Sequence, residues 1–216
     1  MVAIIIDDFG NNLNHVDDFL EMDVPITLAV LPQLPYSGKI SWRARQKGRQ
    51  VMLHLPLENF AGIDPGPGTI NTSMDPVEVE KIFTANLDSV PGAVGFNNHE
   101  GSKATSDEEL MEAIMSVASE KGLFFIDSVT ASKSVAFNTA RARGLSAGRR
   151  NIFLDNEDEL EYICEQLRQL AETAQKEGRA IGIGHCRNNT RLAIEKMAPH
   201  FQDMGIRFVY ASEVLQ

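Results

Sequence analysis

Basic residues, cysteines and long apolar runs are all scarce in this chain. Twenty Lys and Arg stand against thirty Asp and Glu, for a formal net charge of −10. That balance argues against a nucleic-acid ligand, because such binders concentrate Lys and Arg to displace the counterions of the phosphate backbone. The one basic cluster, Arg141, Arg143, Arg149 and Arg150, is local and reads as solvated surface or a few acid-pairing arginines. Two cysteines, Cys164 and Cys186, are too few for a disulfide framework or a cysteine-based zinc site. Cys164 reads as helix core, and Cys186, directly after His185, as a small buried hydrophobe next to a candidate site residue. No apolar run approaches the roughly 18 residues that a membrane span needs, and no signal peptide precedes the first apolar run. Met1 stands directly against that run, which leaves room for an upstream targeting or anchor segment that the chain does not carry.

What remains is 216 residues, 43% of them hydrophobic, enough to bury a substantial core as one domain over 1–216. Short apolar runs recur at 2–6, 26–31, 51–55, 93–96, 123–126, 152–154, 180–183 and 208–211. Between them lie helical stretches at 76–87, 107–121 and 157–177, the last stopping at Gly178. This β/α alternation predicts seven or eight parallel strands with helices outside, joined by right-handed crossovers. Polar residues decide between an open sheet and a barrel. Asp7-Asp8, His54, Asn97-Asn98-His99, Asp127-Ser128, Asp155 and His185 each stand at or near the end of an apolar run. An open sheet gathers its site at one switch point, whereas a barrel brings every strand end round one mouth, so a barrel is predicted. The Gly- and Pro-rich segment 59–72, right after the His54 strand, is expected to be a lid over that mouth.

Two adjacent carboxylates at the end of a buried strand suit one metal ligand and one general base. Both can face a pocket only if the backbone turns, which Phe9-Gly10 is expected to provide. The plainer reading is that Asp7 or Asp8 caps a helix starting near Asn12 or Asn14. Asp8, His54 and His99 offer a carboxylate oxygen and two imidazole nitrogens, a catalytic ligand set for zinc or another divalent ion that leaves positions open. His15 and His200 read as surface histidines.

In chain order the segments Ile4-Ile5-Ile6-Asp7-Asp8-Phe9-Gly10, His54-Leu55-Pro56-Leu57-Glu58, Asp64-Pro65-Gly66-Pro67-Gly68, Gly95-Phe96-Asn97-Asn98-His99-Glu100-Gly101-Ser102, Phe125-Ile126-Asp127-Ser128, Phe153-Leu154-Asp155 and Ile181-Gly182-Ile183-Gly184-His185 resemble successive blocks of the divergent polysaccharide deacetylases. These are relatives of the metal-dependent sugar deacetylases of carbohydrate esterase family four. The resemblance implies a distorted (β/α)7-type barrel of parallel strands with outer helices. It implies hydrolysis of an N- or O-acetyl group on a glycan and an extracytoplasmic, cell-envelope setting. By the same resemblance Asp7 is the base, Asp8 a metal ligand and His185 the general acid. Family-four enzymes add two histidines at i and i+4; here the first is His54, but Glu58 occupies the i+4 position, so the third ligand is Glu58 or, by preference, His99. The family-four Arg-Pro-x-Tyr segment has no counterpart, and Trp42 is the only tryptophan. Glu58, Asn98, Ser102 and Asp127 are expected to orient ligands or bind sugar hydroxyls. Two rival functions stay open on the same fold: a non-catalytic envelope protein that binds a glycan or partner, and a metal-dependent hydrolase of another substrate class.

Overall fold

The computed structural model describes residues 1–215. Nine strands are present among them: β1 (Val2–Phe9), β2 (Thr27–Val30), β3 (Gln50–Leu57), β4 (Gly95–Glu100), β5 (Phe124–Asp127), β6 (Ala147–Arg149), β7 (Ile152–Phe153), β8 (Ala180–His185) and β9 (Phe208–Val209). All pair in parallel, in the order β6-β5-β4-β3-β2-β1-β8-β7, with β9 added beside β1. Only Arg150 and Asn151 separate β6, which pairs with β5, from β7, which pairs with β8. The two therefore act as one broken strand that leaves one end of the curled sheet and joins the other. Counted so, seven strands ring the interior, which is the distorted (β/α)7-type barrel.

Alternation along the strands sorts the core into two layers. Val2, Ile4 and Ile6 of β1 join the large cluster under the helices, while Ala3 and Ile5 face a smaller inner cluster with Ala29, Met52, Ile126, Ile181 and Ile183. Val209, Ala211 and Val214 close that inner cluster from the end where β9 meets Val2 and Ala3. The inward parity continues at the opposite end as Asp7 on β1, His54 on β3, Asn97 and His99 on β4 and His185 on β8. Register carries these residues to one level, since Asp7 pairs with His185 and His54 with Asn97.

The helices start and stop where local chemistry dictates. In α3 (Pro76–Ser89), Asp75 accepts from the Val77 and Glu78 amides, and Glu78 reaches back to the Asp75 N–H. In α4 (Glu108–Glu120), Asp107 caps Leu110. In α6 (Leu160–Glu177), Gly178 ends the helix at φ 80°. Three expectations are corrected. The first helix is only Val16–Leu20, and His15 stands at its N-cap, so neither Asp7 nor Asp8 caps it. Strand β6 was not anticipated, because a three-residue Ala-Gly-Arg run carries no apolar signal. The segment 59–72 is pinned beside β3 instead of arching over the mouth: the Glu58 amide donates to the Ile70 carbonyl, the Ile70 amide to Pro56, and Asn86 to the Gly68 carbonyl.

Candidate active site

A cavity of about 380 Å³ opens at the strand C-terminal end, lined by Asp7, Asp8, His54, His99 and His185 together with Arg150 and Phe153. Both carboxylates reach it because β1 carries one extra residue against β2. Ile6 pairs with Leu28 and Phe9 with Val30, so three steps on one strand match two on the other. This β-bulge is absorbed at Asp8 itself, whose φ is 66°, not at Phe9-Gly10. Asp8 is thereby turned to the side that Asp7 already faces.

His54 Nε2, His99 Nδ1 and Asp8 Oδ1 converge at separations of 3.0, 3.2 and 3.3 Å. Three donors at zinc bond lengths of roughly 2.0–2.2 Å and tetrahedral angles would stand about 3.3–3.6 Å apart, so the cluster fits one divalent ion to within a few tenths of an ångström. Asp8 Oδ1 is buried and closes no hydrogen bond, a cost that a cation would remove. Burial opposes the charge on Asp8, but the His54 and His99 rings outweigh it and hold its carboxyl far below the ordinary carboxylate range.

Asn97, fully buried, joins the base candidate to the ligand set. Its Oδ1 accepts from His54 Nδ1 at 2.9 Å, which leaves the Nε2 lone pair for a metal. Its Nδ2 donates to Asp7 Oδ1 at 2.9 Å and to Ser128 Oγ at 3.3 Å. Asp7 Oδ2 lies 3.6 Å from His54 Nε2. Burial, opposed by His54 and reinforced by Asp8, raises the Asp7 pKa. On the other flank His185 Nε2 lies 3.7 Å from Asp8 Oδ2. His185 Nδ1 donates to Asp155 Oδ1 at 2.9 Å, and Asp155 Oδ2 accepts from the His185 amide and Thr190 Oγ1. Burial alone would lower the His185 pKa, but the Asp155 carboxylate outweighs it and raises it.

The profile of the divergent polysaccharide deacetylase family matches residues 4–215. The chain belongs to that family. An uncharacterized protein of Haemophilus influenzae is 35% identical over 189 residues, covering 88% of this chain and 68% of that protein. Among solved structures, an uncharacterized protein of Agrobacterium tumefaciens C58 superposes at a TM-score of 0.92 with 24% identity, over 99% of this chain and 88% of that one. A family 4 carbohydrate esterase from Streptomyces lividans in complex with acetate gives 0.63 at 11% identity, over 99% and 94%. A CE4 family pseudoenzyme from Bacillus anthracis gives 0.58 at 12%, over 100% and 65%. At these identities the structural likenesses establish the shared fold.

Within this deacetylase-like frame, the residues expected at the site divide. Asp7, Asp8, His54, His99 and His185 come together. Glu58 does not join them: its carboxylate accepts from Lys103 Nζ, the Thr72 amide and Thr72 Oγ1, each at 2.8 Å, contacts that hold its pKa at about 2. Asn98 borders the cavity, but its amide ties β4 to the turn after β5 through the Ser128 N–H, the Glu100 carbonyl and Thr130 Oγ1. Asp127 and Ser102 lie outside the lining. Asp127 accepts from the Val129 amide and Ser134 Oγ, and Ser102 Oγ from the Phe60 amide. Arg150 and Thr190 were not anticipated, and Asn97, expected among the strand-end polar residues, was given no role. For Asn97 a signal existed, since strand parity puts it on the same side as His99. Cys186 is half-buried, not buried as expected; burial first, then Asp8 and Asp18, push its thiol up to about 12.

Proposed function

We propose that the chain is a metal-dependent carbohydrate deacetylase whose single domain is the span 1–216, with Asp8, His54 and His99 as ligands, Asp7 as base and His185 as acid. The observation carrying this is the convergence of three donors around a buried, unpartnered Asp8 oxygen, with an ionisable group on either flank. A divalent cation held there, for which the donor set suits zinc, supplies Lewis acidity when bound and brings the pKa of a water towards about 7.

The chain's own groups account for the proton transfers. Asp7 presents Oδ2 to the cavity while Asn97 occupies Oδ1, so one oxygen is left to take a proton from the water that attacks the acetyl carbonyl. Burial raises its pKa above the ordinary carboxylate value, the direction that makes a carboxylate a stronger base. His185, whose pKa the Asp155 carboxylate raises, delivers a proton from Nε2 to the leaving amine or alkoxide. One acyl C–O bond forms and the C–N or C–O bond to the sugar breaks, giving acetate and the freed amine or hydroxyl. The family supports a glycan substrate and, with it, an extracytoplasmic site of action. Among the described residues no helix is long and apolar enough to cross a membrane.

Two nearly isosteric substitutions test the assignment. Asp8→Asn should lose both bound metal and acetate release. Asp7→Asn should keep metal near the wild-type level while turnover on an acetylated glycan falls about 10²–10⁴-fold. Undiminished turnover in Asp7→Asn would remove it as the base. A wild type that holds metal yet frees no acetate from acetylated sugars would refute the deacetylase reading.

A further inference from the structure

Arg150 sits in the two-residue link between β6 and β7 and lines the same cavity as the Asp8–His54–His99 cluster. Its Nε donates to the Ser128 carbonyl at 2.7 Å and its Nη2 to the Val129 carbonyl at 3.0 Å. The guanidinium lies 5.0 Å from the Phe153 ring centroid. These contacts fix the plane of the group without neutralising it. Among the described residues Nη1 makes no hydrogen bond and no carboxylate lies within 4.0 Å of the guanidinium. The Arg150 side chain is half-buried, and the buried Asp7 and Asp127 carboxylates offset part of that cost from a distance, so what stays unmet in the cavity is the hydrogen-bonding capacity of the Nη1 end. Nε and one Nη2 hydrogen are spent on carbonyls. The remaining N–H groups at the Nη1 and Nη2 end form a planar fork matched to a carboxylate.

We propose that Arg150 is a specificity residue that makes the cavity select an acidic glycan, one bearing a carboxylate on the acetylated sugar or its neighbour. This rests on the deacetylase reading for the identity of the polymer, and on Arg150 alone for its charge. The arrangement places sign selection on the wall opposite the strands that carry the cluster, since Asp8, His54 and His99 come from β1, β3 and β4 while Arg150 lies where the barrel changes partners. Phe153, between Arg150 and His185, adds an apolar face against which a sugar ring can lie.

The test is a binding measurement on the zinc-loaded full chain, which needs no turnover. Calorimetric titration compares tetragalacturonate with cellotetraose, an acidic and a neutral oligosaccharide, for wild type, Arg150→Gln and Arg150→Lys. One charge-assisted forked contact predicts that wild type binds the acidic ligand about 10–100-fold more tightly. Arg150→Gln should bring the two ligands to within about threefold of each other, and Arg150→Lys, with the charge but not the fork, should fall between. Because Arg150 also braces the Ser128–Val129 turn, thermal melting accompanies each variant, and the wild-type comparison stands even if a variant fails to fold. Equal wild-type affinities would overturn the proposal. So would a preference that survives in Arg150→Gln and vanishes on removing zinc, since the carboxylate would then be held by the metal. Tighter binding of glucose 6-phosphate than of glucuronate would overturn the assignment to a carboxylate. Acidic preference without acetate release would leave the subsite standing and defeat the activity instead.

Discussion

Asn97 joins the proposed ligand His54 to the proposed base Asp7, so replacing it with Leu should damage both at once. The substitution is close in volume but removes hydrogen bonds to Asp7 Oδ1, His54 Nδ1 and Ser128 Oγ from a fully buried position. Asp7 Oδ1 and the His54 Nδ1–H then lose their partners. At roughly 1–3 kcal/mol for each buried group left unsatisfied, the metal-free protein should lose about 2–6 kcal/mol of stability. His54 also loses the contact that fixes its tautomer, a change that commonly weakens metal binding about 10–100-fold. Asn97→Asp separates the two effects. Its carboxylate still accepts from His54 Nδ1, so zinc affinity should match or exceed wild type, but it sets a second negative charge against Asp7 and should push that group towards its neutral form. Competition with a chromophoric chelator reads the metal, urea denaturation reads stability, and acetate release reads the base. Wild-type zinc affinity and stability in Asn97→Leu would refute the bridging role outright. Retained turnover in Asn97→Asp would refute only its influence on Asp7.

Three further outcomes follow from other parts of the molecule. In the metal-free protein burial opposes charge on His54 but the Asp7 and Asp8 carboxylates outweigh it and lift its pKa to about 9, so zinc must displace a proton. Apparent zinc affinity should fall about tenfold per pH unit below about pH 9, and a chelator titration that is flat with pH below 9 would contradict this. Glu58 has the opposite sign: Lys103 first and then Thr72 depress its folded pKa to about 2, so its stabilisation is complete above the unfolded value and fades as pH falls towards 2. With screening at a partly exposed site, Glu58→Gln should cost about 0.5–1 kcal/mol at pH 7 and nothing near pH 2; a pH-independent difference in urea denaturation would count against the pairing. Gly68→Ala should destabilise by more than the roughly 1–3 kcal/mol of backbone strain, because at φ 77° its new methyl would collide with Asn86 Oδ1; an unchanged Tm would show that the segment yields freely.

The sequence reveals most where hydrophobicity and chemistry change together. Asp8, His54, His99 and His185 each close or follow an apolar run, so strand-end placement marked them without any structure. Helices α3, α4 and α6 were legible from their caps and their stops, though α6 begins three residues later than expected, at Leu160. Other features depend on partners distant in sequence. Glu58 looks like a ligand four residues after His54, but Lys103 and Thr72 claim its oxygens, and nothing local announces either. The segment 59–72 has the composition of a lid, yet backbone hydrogen bonds of Ile70 with Pro56 and Glu58 tie it to the end of β3. Asn97 and Asn98 are identical letters whose roles diverge only because strand parity turns one inward.

The bulge in β1 makes the paired carboxylates depend on a single inserted residue. Deleting Asp8 would let Phe9 follow Asp7 in unbroken register with β2, relieve the positive φ and remove one of the three proposed ligands. The shortened chain would be expected to fold at least as well and to hold no metal. On the proposed assignment, a metal-holding barrel is therefore separated from an empty one by one codon's length.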